Sequence, residues 1–421
     1  MPGLKKVLWV TSYFPPRINV ATNRNVKFIK YLPQFGWEVV VISPREILGH
    51  SSTSQGLMKQ INDSTKQPSM PMDPFHFLYD RAGISRTARY TGYLLNNAFP
   101  PDGHFLWSLW VLFHLSKEIK KYKPDMIYTT CSPFSLNLVG AWIKYKYDIP
   151  WVTDFRDLWT LNPTPKRILN SYHRFVSNRL EKSYLRYCDA LLVTTVNTRS
   201  RIKEKYPFLI NKTWNIPNGF DPEDIHIKGH DKIQNSFFYG GLIDPKRNYT
   251  PLPILRLLAR FQDSELARMP VKLHYAGNEG NEFKDLCHQT GTEFNIKTHG
   301  YLDHKSFYDL IMSMENIIMC MPQDVDTRSW IPARFYDYIG TKSRIICLAP
   351  RVSEIALYIK EYGNGITLYY EESEEISKQK LQRFLSMNKP NNTMSNQFIE
   401  RFSRKNLTRQ LSNVFQYIIS D

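Results

Sequence analysis

The 421-residue chain is poor in several things. It has five cysteines, Cys131, Cys188, Cys287, Cys320 and Cys347, far apart and mostly in apolar surroundings. No Cys-x-x-Cys pair and no Cys/His zinc spacing occurs, which excludes a disulfide scaffold, a zinc module and a thiol redox motif. The thiols read as buried and reduced, as in a cytoplasmic protein. Long apolar runs are missing too. The longest, near Phe105 to Leu115, is broken by Ser108 and His114 and is too short to span a bilayer. The run MPGLKKVLWV has the charge of a signal peptide but no small-residue cleavage site, and it passes straight into a strand. No carboxylate pair is assigned to a divalent ion, and no metal ligand is expected. His104, His114 and His173 have no partner at metal or triad spacing and read as structural.

Acidic residues are scarce in one half only. Residues 1–215 hold 30 Lys and Arg against 14 Asp and Glu, a balance of +16, whereas residues 216–421 hold 25 of each. The whole formal charge of +16 therefore sits in the first half. A basic half beside a neutral one fits contact with a polyanion or an anionic membrane surface. Solvated surface charge of a lysine-rich composition is the plainer account. No nucleic-acid-binding module is present, so nucleic acid is not an expected partner.

What is present is alternation. In the first half, strand-length apolar runs fall at residues 6–11, 38–43, 125–129, 151–154 and 190–194. Helical spacing falls at 23–32, 107–122, 135–146 and 172–187. Residues 49–75, polar and rich in Ser, Gln, Pro and Met, read as a long mobile loop. Beyond them Arg81, Arg86 and Arg89 interleave with Tyr79, Tyr90 and Tyr93. Phe105, Trp107, Trp110 and Phe113 form a bulky stripe, read as a core helix. The second half repeats the pattern, with strands at 237–239, 271–276, 296–299, 317–321 and 344–348 and helices at 252–261, 282–290, 305–314 and 333–339. Such alternation predicts parallel sheets covered by helices on both faces. Two doubly wound halves imply a cleft between them, with ligands at strand carboxyl ends.

The stretch Ile331 to Pro350, IPARFYDYIGTKSRIICLAP, is the most telling. Pro332 suits a helix entry. Arg334 and Asp337 then stand at i and i+3 on one face, Gly340 can end the helix, and an apolar strand follows. A helix start beside a strand's carboxyl end is a natural anion site, because free amides and the helix dipole point at it. The same spacing also fits a surface helix with an ordinary ion pair.

This stretch resembles the donor-site helix of family 4 glycosyltransferases of the bacterial surface-polysaccharide branch, with Arg334 where Lys is usual and Asp337 where Glu is usual. Further similarities run in order over most of residues 5–370. They are Tyr13-Phe14-Pro15-Pro16 after the first strand, Lys123-Pro124-Asp125-Met126-Ile127-Tyr128 with Ser132-Pro133-Phe134, and Asp154-Phe155-Arg156-Asp157-Leu158-Trp159. Ile216-Pro217-Asn218-Gly219-Phe220-Asp221 and His299-Gly300-Tyr301-Leu302 complete the series.

The resemblance implies a GT-B fold: two Rossmann-like, doubly wound α/β domains facing an interdomain cleft, with a C-terminal helix crossing back to the first. It divides the chain into an acceptor-binding domain (1–215), a linker (216–235), a nucleotide-sugar-binding domain (236–398) and the returning helix (399–421). It implies a metal-independent transfer, with retained configuration, of a sugar from a UDP- or GDP-type donor to a hydroxyl of a lipid-linked or polysaccharide acceptor. No cofactor is expected, and the location is cytoplasmic, peripheral on the inner face of the membrane.

The donor would lie against Gly241, Arg247, Tyr301, Leu302, Ala333, Arg334 and Asp337. Asp154, Arg156, Asp157 and Lys246 are the catalytic candidates, and Pro16, Asn19, Thr22, Asn23 and Arg24 those of the acceptor or cleft loop. Two family positions are altered. The usual Arg after the first strand of the second domain is replaced at Gly241 or Leu242, and an expected Glu is Ser329. Arg334 or Arg328 would then take over phosphate contact. A sugar-nucleotide epimerase of the same fold, or an inactive homologue that binds a sugar nucleotide or polyanion, are the alternative readings.

Overall fold

A computed structural model describes residues 4–45, 52–61, 63–76, 100–162, 171–225, 231–245, 249–262, 270–323, 326–387 and 392–420. The chain divides into two compact units, residues 1–218 with 404–421, and residues 219–403.

Unit one is built on β1 (Lys5–Val10), β2 (Trp37–Ile42), β3 (Met126–Cys131), β4 (Trp151–Phe155), β5 (Ala190–Val193) and β6 (Thr213–Asn215), all parallel, in the order β2-β1-β3-β4-β5-β6. Its helices are α1 (Val20–Tyr31), α2 (Ser52–Met58), α3 (Phe105–Tyr122), α4 (Leu136–Tyr147), α5 (Ser171–Tyr187) and α6 (Val196–Lys205). Successive side chains of a strand point to opposite faces. Leu8 and Val10 thus join one core layer with α3 to α6, while Val7 and Trp9 join the other with α1. Burial on both faces is why these strands read as near-continuous apolar runs.

Unit two repeats the plan with β7 (Ile233–Gly240), β8 (Lys272–Ala276), β9 (Asn295–Thr298), β10 (Met314–Cys320), β11 (Arg344–Ala349) and β12 (Gly365–Tyr369), in the order β12-β11-β10-β7-β8-β9. Its helices are α7 (Leu252–Gln262), α8 (Gly280–His288), α9 (His304–Ser313), α10 (Ala333–Gly340), α11 (Glu354–Tyr362), α12 (Glu374–Ser386) and α13 (Asn392–Arg401). One layer packs Phe238, Ile317 and Ile345 under α9, α10 and α11, and the other packs Phe237, Leu273 and Ile346 under α7, α8 and α12. The final helix, α14 (Arg404–Ser420), returns to unit one, where Leu407, Leu411, Val414 and Phe415 pack with Val26, Phe28 and Trp37.

Two expectations are corrected. Residues 49–75 are not a mobile loop where described. They contain α2, and the backbone of Lys66 pairs with β2 at Val39 (3.1 Å) and Val41 (2.8 Å), while Leu57 and Met70 are buried. β2 is the sheet's outer strand, and a bare edge leaves backbone groups unpaired, so the segment supplies partners for it. The closing helix is not continuous over 399–421. It breaks at Ser403, whose backbone bridges to Phe220, and α13 before the break packs Phe398 on Tyr362 in unit two. Of the linker residues 216–235, Ile216 is buried in unit one, and Phe220 and Ile225 are buried in unit two.

Gly340 closes α10 without the left-handed cap that glycine usually supplies. The positive φ falls on Lys342 instead. Glycine is required there for space, because a Cβ at 340 would lie 2.5 Å from Ile225 Cδ1 and 2.9 Å from Phe220 Cδ2. Overpacking of this kind costs about 1–3 kcal/mol. Gly340→Ala is therefore expected to lower the unfolding free energy of unit two by that amount, read as a lower urea midpoint at unchanged slope. An unchanged midpoint would show that Ile225 and Phe220 yield freely.

Candidate functional site

Ligands of parallel α/β sheets bind outside strand carboxyl ends, where the strand order reverses. That point lies between β7 and β10 in unit two and between β1 and β3 in unit one.

At the end of β7 the backbone turns at Gly240 and Gly241. Gly241 has φ +111, open to glycine alone at little strain, and its N–H donates to the Ala276 carbonyl at 2.9 Å. Gly277 N–H in turn donates to the Gly300 carbonyl at 3.0 Å, so the ends of β7, β8 and β9 are knitted through glycines. Tyr275 ties the first two together, donating from its hydroxyl either to the Gly241 carbonyl (2.9 Å) or to Glu279 (2.8 Å).

Over this edge lies Arg334, from the first turn of α10. Its guanidinium donates to the Gly240 carbonyl, and a Cβ on Gly241 would come within 2.0 Å of its Nη1. Arg334 thus occupies the space a side chain at 241 would fill. It is half-buried among Tyr239, Tyr249 and Tyr338, and among the described residues it has no carboxylate partner.

Asp337 turns away from it and accepts from the Tyr308 hydroxyl at 2.5 Å. Ala333 is half-buried at the helix start, which no side chain caps. Tyr301 stands 81% exposed past β9, whereas Leu302 packs on the core. Lys246 and Arg247 lie outside the described residues. Arg328 is engaged by Asp326 at 2.8 and 2.9 Å. Asp326 belongs to an Asp-x-Asp triplet that the sequence reading overlooked, Asp324-Val325-Asp326, whose first two members are not described.

In unit one the structure separates the predicted residues. Asp154 is fully buried, and Arg24 grips it with Nε at 2.9 Å and Nη2 at 3.2 Å while Tyr128 donates at 2.7 Å. Arg24 also donates to the carbonyls of Ile216 (2.9 Å) and Pro217 (2.7 Å). Burial, then the Asp154 carboxylate, holds the Tyr128 phenol well above its usual range. Asp154 and Arg24 are therefore a buried pair, not groups exposed at the strand end. Asn19 caps α1, its side chain accepting from the amide of Thr22 at 2.8 Å and the hydroxyl of the same residue at 3.1 Å. Asn23 and Pro16 are half-buried.

Arg156 and Asp157 do reach the strand end. Arg156 donates to the Ser132 carbonyl and lies 5.8 Å from the Tyr13 ring centre, and Asp157 is exposed. Beside Tyr13 the structure gathers Asp73, His76 and His104. The expectation that His104 has no partner is overturned, since Asp73 lies 2.5 Å from its Nδ1. Burial alone would push that imidazole down and that carboxyl up. Burial is the largest single influence on each, but the partner's charge, the hydrogen bond between them and the further charges of His76 and Asp102 together outweigh it, so His104 is held above its ordinary range and Asp73 below. His173 bonds Ser177 and His114 the Trp110 carbonyl, both within helices.

The family model described as Glycosyltransferase Family 4 matches residues 21–224, nearly all of the first sheet and its helices. The chain carries a glycosyltransferase family 4 domain. As an enzyme it is a glycosyltransferase, of a family that takes nucleotide-sugar donors. Solved structures align end to end. A glycosyltransferase from Rickettsia africae has 13% identity over 99% of both chains with a TM-score of 0.65. HepE of Anabaena, in complex with UDP, has 12% identity over 98% of this chain and 100% of its own, TM-score 0.58. The lipopolysaccharide outer core galactosyltransferase WaaB has 12% over 98% and 99%, TM-score 0.60. At such identity these likenesses establish the two-domain GT-B fold alone. No curated protein sequence matches the chain.

The glycosyltransferase also pairs two histidines on β8 and past β9: His274 Nδ1 and His299 Nε2 are 3.1 Å apart. Burial, with His299, Lys297 and Lys272 adding, pushes His274 down to about 4 from its ordinary 6.5. A histidine depressed by folding contributes stability that is present above the unfolded value and lost as pH falls. The melting temperature of unit two is expected to drop between about pH 6.5 and pH 4, and His274→Gln is expected to flatten that slope. An identical slope in the variant would remove His274 from the account.

Proposed function

We propose that this enzyme transfers a sugar from a UDP- or GDP-type donor to a hydroxyl of a lipid-linked or polysaccharide acceptor, in cell-surface polysaccharide assembly and with retained configuration. The observation that carries the donor half is Arg334. A half-buried cation without a carboxylate partner is costly to keep and ready for an anion. It sits at the switch point of the nucleotide-binding type of sheet, beside uncapped helix amides.

As the bond from the sugar to the diphosphate breaks, the leaving group takes the electron pair. Arg334 and the amides of α10 stabilise that charge while the acceptor oxygen bonds the sugar and gives up its proton to the departing diphosphate. Tyr301 offers an exposed ring for the base, and Asp337 a carboxylate for ribose hydroxyls. Arg156 and Asp157 orient the acceptor.

The acceptor half rests on a surface. Helices α3, α4 and α5 lie side by side on one face of the first sheet. They expose Trp110, Phe113, Tyr145, Tyr172 and Phe175 among exposed Lys117, Lys146, Arg174 and Arg179. Aromatic rings with basic residues between them suit an anionic bilayer interface. No described helix is long and apolar enough to cross a membrane. The sequence reading placed Trp110 and Phe113 in the core, but only Trp107 of that stripe is fully buried.

Calorimetry with UDP and GDP on Arg334→Ala and Arg334→Lys tests the donor site. Both variants are expected to bind more weakly, Ala the more so, and Ala to lose about 10²- to 10³-fold in turnover. Wild-type affinity in Arg334→Ala would overturn the assignment. Co-sedimentation with anionic but not neutral vesicles, reduced by Phe113→Ser with Tyr145→Ser, is expected for the membrane surface. Equal pelleting with both lipids would contradict it.

A further inference from the structure

The cluster beside Tyr13 is used by none of the chemistry above. Asp73 and His76 come from the segment Asp73-Pro74-Phe75-His76, and His104 from the turn that opens α3. All three are buried, and one donor atom from each can be chosen so that all lie within 4.8 Å of one another.

The two segments are fitted closely. Gly103 leaves room for the Phe75 ring, where a Cβ would come within 2.2 Å of Cδ2, and that ring meets His104 edge-on at 4.6 Å. Asp73 spends Oδ1 on the Phe75 amide at 2.9 Å and aims Oδ2 at His104. His76 meets His104 ring to ring at 4.7 Å. Asp102 does not join as a fourth acid ligand. Its oxygens accept from the amides of His104, Phe134 and Ser135 and from the Ser135 hydroxyl.

We infer that Asp73, His76 and His104 form a site for a divalent transition metal of the zinc class. Binding would displace the proton shared by Asp73 and His104, since ligands must be deprotonated, so the three side chains offer one carboxylate oxygen and two neutral ring nitrogens. Two imidazoles and one carboxylate are the donor set of zinc and its first-row neighbours, not of magnesium or calcium. Bonds of about 2.0–2.2 Å place tetrahedral donors roughly 3.3 Å apart, so the donor atoms close around the ion while the 2.5 Å Asp73–His104 contact opens by less than about 1 Å. The ion would clip residue 76 to residue 104 across 28 positions of sequence, beside the loop that carries Tyr13. Arg17 acts on His104 with positive charge and sets a limit on affinity.

The test is zinc content by elemental analysis of tag-free full-length protein after dialysis, with cobalt substitution read as visible d–d absorption. One zinc per chain and a cobalt spectrum reversed by chelator are expected, together with a melting temperature that rises with added zinc. His76→Gln, which keeps the Asp73–His104 pair, is expected to reduce bound metal at least tenfold while the chain stays folded. A folded wild type that takes up neither metal would overturn the site and leave a plain Asp–His pair. So would zinc retained at full stoichiometry in His76→Gln with Asp73→Asn.

Discussion

Unit one is arranged around the fully buried guanidinium of Arg24. Removing the charges of Arg24 and Asp154 from water carries a penalty that only near-complete hydrogen bonding offsets. Arg24 of α1 meets the carboxylate at the end of β4 and the carbonyls that follow β6, and Tyr128 of β3 completes the carboxylate. One helix, two central strands and the exit from the unit are thereby fixed to one another. The arrangement also divides the Asp-Phe-Arg-Asp stretch by the alternation of a strand. Asp154 points into the core, and Arg156 and Asp157 are delivered to the strand end.

Unit two uses a guanidinium in the opposite sense. Arg334 has a backbone carbonyl and aromatic neighbours but no carboxylate among the described residues, and the lack of a side chain at Gly241 gives it room. The paired cation organises the fold, whereas the proposal holds the other, at a strand's carboxyl edge, for an anion. On the proposed reading, Arg334 over Gly241 stands in for the cation that the resemblance expects near that position.

Period-two burial and helical spacing made the sheet order's raw material legible, because parallel strands buried on both faces leave long apolar runs that survive loop variation. The donor helix was legible for the same local reason: proline entry, cation and acid fall within one turn. What stayed hidden depends on contacts between distant residues. Residues 49–75 are polar in composition, yet Lys66 serves β2 through its backbone, which composition does not report. Arg24 reads as a cleft-facing residue at the start of the first helix, and only the fold brings Asp154 to it from 130 positions away. The grouping of Asp73, His76 and His104 was invisible as spacing, although Asp-x-x-His ahead of a second Asp-x-His offered a faint signal.

The central claim is that Arg334 supplies the phosphate contact the family usually draws from elsewhere. A crystal structure of the enzyme with UDP or GDP tests it most directly. The account predicts a diphosphate oxygen at about 2.7–2.9 Å from the Arg334 guanidinium, above Gly241 and at the start of α10. A diphosphate bound in unit two without contact to Arg334 would contradict it.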